Sequence, residues 1–226
     1  CVDGISSYPV MKSNHSFDLL SCFPASAEPG KAFTSVTYSN LYFREPESRA
    51  DQTRMMSIVT TGAETGYYVD VFRSRKEKGG DKMHDYFYHN LGQTLTLTAA
   101  DGSDLNLQPT EELAFAGAHL YAYSYLYDKK VAATNKDVKA TFTIDMKDKD
   151  GDDIYMNLWM KGELDREVFT ALAPMTEGLS RTPNMPYNIK EQPTLTFVAR
   201  QHGEAWNRPF VSIYEPSTKK EPSAIQ

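Results

Sequence analysis

Short hydrophobic runs recur along the chain, rich in β-branched and aromatic residues and separated by clusters of Gly, Asp, Asn, Pro and Ser. Such runs favour β-strands, and the clusters between them favour turns. Helical periodicity is almost absent. The strands predicted in this way are 16–23, 33–43, 54–62, 66–75, 84–91, 93–99, 119–128, 139–147, 154–162, 166–175, 194–201 and 208–216. About a dozen strands with no helices between them predict an all-β fold, an antiparallel β-sandwich.

The run 119–128, "HLYAYSYLYD", alternates most visibly. As a strand it would place five rings on one face: His119, Tyr121, Tyr123, Tyr125 and Tyr127. If these rings line a shallow exposed groove, they indicate a sugar-binding surface. If they are buried or scattered singly, they indicate a structural role.

No internal repeat or shift in composition marks a domain boundary. We therefore expect one sandwich domain over residues 1–217, followed by a flexible tail over 218–226. Residues 173–194 are rich in Pro and polar side chains, which predicts a long surface loop.

Composition narrows the class of protein. The 226 residues are 40% hydrophobic and 12% aromatic, which is typical of a folded chain. The net charge of −6 argues against a nucleic-acid partner, since such proteins normally carry a basic face. The net charge is compatible with an acidic polysaccharide as the partner, because a local basic groove can lie on an acidic protein. No run approaches the roughly 18 apolar residues that span a membrane.

The chain has two cysteines, Cys1 and Cys22, which could pair but match no metal-binding spacing. It starts without Met and without a signal peptide, and its first residues already indicate a strand and a turn. We expect an excised or processed piece of a longer protein. A lipid-anchored Cys1 is the alternative.

The acidic run 147–155, "KDKDGDDIY", has the density of a calcium loop. The EF-hand register fails, because counting back from Gly151 places Met146 at the first ligand position. The simpler interpretation is a hairpin, with Asp150-Gly151 as its tight turn.

Polar residues interrupt the strands over 66–93. His84 and His89 fall on opposite faces of a strand, so they cannot both bind one metal ion without a bend, and partly buried histidines are the more ordinary outcome. Asp70 lies in mid-strand and needs a partner. A structural ion pair is favoured over catalysis, and His89 is one conceivable cross-strand partner.

The turn at Gly203 carries His202, Trp206 and Arg208. A Trp can stack on sugar rings, and an Arg can bind acidic ones. With His84 and His89, these three are the candidate substrate-binding residues, and ordinary packing is the alternative. No motif for a catalytic residue or a metal site is present.

Four segments, in this order, resemble the C-terminal β-sandwich of the heparinase II/III-like polysaccharide lyases. They are "CVDGISSY", "RMMSIVTTGAETGYYVDVFRSR", "HDYFYHNLGQ" and "TLTFVARQHGEAWNRPFVSIYEP", and the resemblance extends from residue 1 to about 217. It implies a parent enzyme with an N-terminal α/α-toroid, a cleft for an acidic, uronic-acid-containing polysaccharide, and cleavage by β-elimination. It also implies a secreted protein, periplasmic or extracellular.

The resemblance implies that the catalytic groups lie elsewhere. The toroid supplies several of them, and the ligands of a structural zinc would fall upstream of Cys1. No catalytic residue and no metal ligand can be assigned to this chain, so we expect it to be inactive alone. The sequence leaves open whether the chain is an enzyme or a non-catalytic domain of one. The heparinase-like interpretation predicts exposed, unpaired apolar edges where further strands belong. The alternatives are a stand-alone carbohydrate-binding module and a structural module.

Overall fold

A computed structural model describes residues 1–5, 16–24, 35–114, 123–146, 152–182 and 190–224. These residues form thirteen strands and one helix, α1, at Glu177–Ser180. The strands are β1 Asp18–Phe23, β2 Val36–Glu45, β3 Ala50–Thr60, β4 Gly66–Lys76, β5 Met83–Asn90, β6 Thr94–Ala99, β7 Gln108–Pro109, β8 Tyr127–Ala133, β9 Val138–Ile144, β10 Ile154–Met160, β11 Arg166–Ala173, β12 Thr194–His202 and β13 Ala205–Thr218. No helix among the described residues is long and apolar enough to cross a membrane.

Two antiparallel sheets pack face to face. The larger sheet has eight strands in the order β1-β2-β3-β4-β13-β10-β9-β6, and the smaller has five in the order β5-β12-β11-β8-β7. The predicted all-β sandwich is therefore confirmed. Consecutive strands β4 and β5 belong to different sheets, so the chain crosses from one layer to the other between residues 76 and 83.

The main core lies between β4, β13, β10 and β9 of the larger sheet and β5, β12 and β11 of the smaller one. Residues alternate along each strand, and every second side chain turns inward. The largest apolar side chains that are almost completely buried in this core are Phe142, Phe197, Phe210, Leu158 and Met160.

A smaller cluster lies on the opposite face of the five-stranded sheet. Phe169 and Val198 are fully buried there, and they are covered by Leu113 and Tyr123 from the segment that leads into β8. Phe87 packs against the same cluster. Both faces of β5 and β12 are consequently buried over part of their length.

The tyrosine-rich run differs from its prediction. Residues 123–126 form a turn, and β8 begins only at Tyr127, while residues 115–122 lie outside the described residues. Tyr123 is buried, whereas Tyr125 and Tyr127 are 65% and 47% exposed. The described tyrosines therefore do not line one common face.

Two other predictions lie partly outside the described residues. β9 and β10 pair antiparallel from Ile144 opposite Ile154, as a hairpin requires, but the turn at Asp150-Gly151 is not described. In the predicted tail, the Lys220 amide donates to Asp152 and the Ala224 amide to Glu215. Cys1 and Cys22 are free thiols.

Two positions on β10 test the position of the core. Leu158→Ala should lower the free energy of unfolding by about 2–5 kcal/mol, because a fully buried side chain leaves a cavity. Ile154→Ala, on the same strand but 39% exposed, should cost less than about 1 kcal/mol. Urea denaturation measures both, and equal losses would contradict the described packing.

Candidate functional site

His84 lies at the start of β5 and has no exposed surface. Its Nδ1 is 2.9 Å from the Ser74 hydroxyl of β4, and its Nε2 is 2.7 Å from an Asp81 carboxylate oxygen. Burial lowers the pKa of His84, although the hydrogen bond to Asp81 opposes this effect. The imidazole presents no surface to a substrate, and it joins β4 to β5 instead.

Asp70 is also completely buried, and its partner is Arg54 of β3 rather than His89. The Arg54 Nε lies 3.0 Å from Oδ1, and one terminal nitrogen lies 2.5 Å from Oδ2. Burial opposes the charge on Arg54, but the hydrogen bond to Asp70 raises its pKa above the ordinary value. The structural ion pair predicted for Asp70 is thus present.

Two tyrosines extend this network into the core. The Tyr86 hydroxyl donates to Asp70 Oδ2 at 2.6 Å and also contacts the Tyr214 hydroxyl of β13. Burial raises the pKa of both tyrosines. Asp70 therefore holds one side chain from its own sheet and one from the facing sheet.

A second buried carboxylate, Asp85, lies on the other face of β5. Arg200, directly opposite on β12, binds it through two nitrogens at 2.8 and 2.9 Å. The Tyr123 hydroxyl donates to the same carboxylate. Arg200 also binds the partly exposed Glu112 at 2.8 Å. This network attaches the segment before β8 to the smaller sheet.

His89 lies near the far end of β5 and is exposed. Its Nδ1 is 2.8 Å from the Thr196 hydroxyl, and its ring stacks on Phe87 with 6.0 Å between the centroids. Desolvation of the packed side of the ring lowers the pKa of His89. His89 remains available for contact with a ligand.

The turn between β12 and β13 holds the other three candidates. Gly203 has a φ angle of 79°, a left-handed conformation that favours glycine. Burial would raise the pKa of Glu204, but the backbone amides of Asn207 and Trp206 donate to its carboxylate, and the net effect is a lowered pKa. These bonds hold the turn in shape.

Each candidate on this turn has a defined partner. His202 Nε2 lies 2.8 Å from the Glu167 carboxylate, and the Arg208 guanidinium lies 3.1 Å from Asp165. The Arg75 guanidinium lies 4.2 Å from the centre of the Trp206 ring, a cation–π contact. The turn therefore combines an aromatic ring with partly exposed cations.

The five candidates do not form one site. His202 lies opposite Met83, so the turn is close to the buried His84 end of β5. His89 is six residues further along β5, roughly 20 Å at the usual rise of a strand. The structure thus brings together His202, Trp206 and Arg208 and leaves His89 apart.

The described residues include no group of three or more His, Cys, Asp or Glu side chains that could hold a metal ion. The zinc implied by the resemblance therefore has no fitting ligand set within the described ranges.

Arg54, Arg200 and Tyr214 were not predicted from the sequence. A usable signal existed for Arg200, because a charge inside the predicted strand 194–201 needs a partner of opposite charge, whereas Arg54 is the first residue of the predicted strand 54–62 and carries no such signal. No comparable signal marks Tyr214.

A separate cavity of about 540 Å³ lies beside β7 and β8. The exposed Tyr127 lines it together with Lys129 and Lys130. Glu111 and Asp128 also line it, so the charges of the two lysines are balanced and the exposed ring is the feature that suits a sugar.

These features define an antiparallel β-sandwich whose buried polar networks connect strands. A comparison with models of protein families finds no match. The chain is 33% identical over 186 residues to an endo-acting ulvan lyase of Formosa agariphila, a match over 80% of the chain. The chain is therefore related to a polysaccharide lyase. The match covers 21% of that lyase, so the chain corresponds to about a fifth of its length.

We predict that His84 makes stability depend on pH. Its folded pKa lies below the unfolded value of about 6.5, so the unfolded state binds the proton more readily. Stability should be complete above pH 6.5 and fall as the pH drops below it. In urea titrations between pH 7.5 and 5.5, His84→Gln should reduce this slope. An unchanged slope would show that His84 is not buried as a neutral group.

The two partners of Arg200 provide a matched test. Asp85→Asn leaves a buried guanidinium with only the half-exposed Glu112 as a charge partner and should cost about 3–5 kcal/mol of unfolding free energy. Glu112→Gln removes a half-exposed partner and should cost less than about 1 kcal/mol. If the two variants lose the same stability, the Asp85 network does not have the strength that its burial implies.

Proposed function

We propose that this chain is the C-terminal sandwich of a heparinase II/III-like polysaccharide lyase that cleaves uronic-acid-containing glycans by β-elimination. The observation that carries the polysaccharide-lyase part of the proposal is the identity to an ulvan lyase over most of the chain. The heparinase II/III-like part rests on the resemblance of the four sequence segments. The same relative makes ulvan the first substrate to test. The proposed parent protein is exported to the periplasm or beyond the cell, where such polymers are met.

The described side chains support a structural role in this reaction. β-Elimination requires a base for the C5 proton, a group that neutralises the carboxylate, and an acid for the leaving oxygen. Tyr86 and Tyr214 are 3% and 6% exposed and have raised pKa values, so they neither reach a substrate nor act as bases near neutral pH. Burial likewise raises the pKa of Tyr88 to about 12.

Following the resemblance, the catalytic groups, the toroid and the structural zinc are proposed to belong to other parts of the parent protein. The sandwich would supply a wall of the substrate cleft, as the resemblance implies. Its proposed contacts with the glycan are Trp206, His202 and Arg208 on the turn and His89 further along β5. His84 would act indirectly, by holding the end of β5 on which the turn rests.

A second candidate function is binding of a carbohydrate without cleavage. The cavity at Tyr127 favours it, because an exposed aromatic ring lies there among polar side chains of both charges, on a surface distant in sequence from the Trp206 turn. The two functions therefore predict different binding surfaces.

Activity on ulvan tests the proposed function. The parent protein should generate the ultraviolet absorbance of a newly formed unsaturated uronate, whereas residues 1–226 alone should not. In the parent, Trp206→Ala should lower kcat/KM about tenfold, which corresponds to about 1.4 kcal/mol of lost contact. Tyr127→Ala is the matched control and should have little effect.

Other outcomes would contradict the proposal. Cleavage by residues 1–226 alone would place the catalytic groups within this chain. A parent protein that binds ulvan without cleaving it, and loses binding in Tyr127→Ala but not in Trp206→Ala, would favour the carbohydrate-binding module.

A further inference from the structure

β5 is the last strand of the five-stranded sheet and pairs with β12 on one side. On its other side, residues 1–3 already form the beginning of a further strand. The Asp85 amide donates to the Cys1 carbonyl at 2.8 Å, and the Asp3 amide donates to the Met83 carbonyl at 2.8 Å. Val2 lies opposite His84 in antiparallel orientation.

The remainder of this edge has unused hydrogen-bonding groups. In an antiparallel strand, alternate residues direct both backbone groups to the same neighbour. The backbone N–H and C=O groups of Asp85 point away from β12. Phe87 and His89 lie two and four residues further along the strand, so their backbone groups point away from β12 as well. Within the described ranges, these backbone groups have no partner. An unpaired edge of this kind is a template for another strand.

A sheet face that no other described strand covers lies beside the free edge. Tyr86 of β5 packs over Phe72 of β4, and β3 is the next strand after β4 in the larger sheet. A strand added at the free edge of β5 would therefore lie above β3. The register places Met56 opposite Asp70 and Ile58 opposite Tyr68, on the face that turns toward the smaller sheet.

This face is apolar and exposed. Met56 and Ile58 are 46% and 48% exposed, and Tyr68 is 39% exposed. Two cavities, of about 350 and 370 Å³, lie on this face, and Met56 lines both of them. Among the described residues, Arg54 is the only charged side chain that lines either cavity, and it is already bound to Asp70.

We propose that the occupant of this edge is a β-strand of the parent polypeptide that leads directly into Cys1. It pairs antiparallel with β5 from Tyr86 to Asn90 and covers Met56 and Ile58. Its direction and register follow from the pairs at Met83–Asp85, which it continues without an intervening loop. It converts the free groups of Phe87 and His89 into ladder bonds. The proposal rests on the part of the proposed function that makes this chain a piece of a longer protein, but it requires no catalytic activity, so each can fail without the other.

A second copy of the chain is a weaker candidate for the same edge. Its strand would have to stop where residues 1–3 already occupy β5, which leaves only the Tyr86–Asn90 portion for pairing. A glycan is weaker still, because the only charged group lining the cavities is already paired.

The proposed strand has a definite side-chain pattern. The first and third residues before Cys1 would lie opposite Tyr86 and Tyr88, which face the core. They should therefore be apolar. The second and fourth residues would lie opposite Phe87 and His89 on the other face of the sheet.

Hydrogen exchange at single-residue resolution tests the pairing. In residues 1–226, the amides of Tyr86 and Tyr88 should be protected by β12, and those of Phe87 and His89 should exchange fast. In the parent protein, all four amides should be protected. Tyr86 and Tyr88 are controls within the same strand. Fast exchange at Phe87 and His89 in the parent would overturn the proposal, as would concentration-dependent protection in residues 1–226, which would identify a second copy.

A pair of variants tests the covered face independently. Ile58→Glu should hardly change the melting temperature of residues 1–226 but should lower that of the parent by several degrees. Leu164→Glu, at an exposed position in the β10–β11 connection, should change neither. Equal small effects of Ile58→Glu in both proteins would show that nothing covers this face.

Discussion

The polar contacts between β4 and β5 are the constraint on which the rest of the sandwich depends. These strands follow each other in the chain but belong to different sheets, so the crossing sets how the two layers face each other. Ser74 meets His84 and Asp70 meets Tyr86 across the interior. A shift of β5 by one residue would turn all of its side chains over and leave a buried carboxylate without a donor. The same constraint directs Asp85 to the opposite face, where Arg200 binds it.

The sequence predicts much of this arrangement, because the period of a strand is two. Alternation correctly places His84, Tyr86 and Tyr88 together on one face of β5. It also identifies Asp70 as a buried charge that requires a partner. It could not identify Arg54, since Met56 lies directly opposite Asp70 and Arg54 is a diagonal neighbour. That relation follows from the register of β3 with β4, which no local pattern specifies.

The tyrosine-rich run shows where alternation misleads. Its pattern is that of a strand, yet Tyr123 lies in a turn and directs its hydroxyl to Asp85. A long-range partner thus overrides the local β-propensity. The candidate site has the same limitation. Residue types alone point to His84 and Trp206 equally, but one is enclosed by the β4–β5 crossing and the other lies on a partly exposed turn.

The unequal sheets connect stability with function. A sandwich buries apolar residues only where both layers are present, and five strands cannot cover eight. The core consequently ends at β5, and Met56 and Ile58 lie just beyond it. A strand added at this edge would extend the core and would lie next to His89, the one candidate ligand-binding residue at that end of β5. With the proposed strand in place, a glycan bound at His89 would touch the junction between this sandwich and that strand. The strength of that junction would influence both the stability of the domain and the shape of its binding surface.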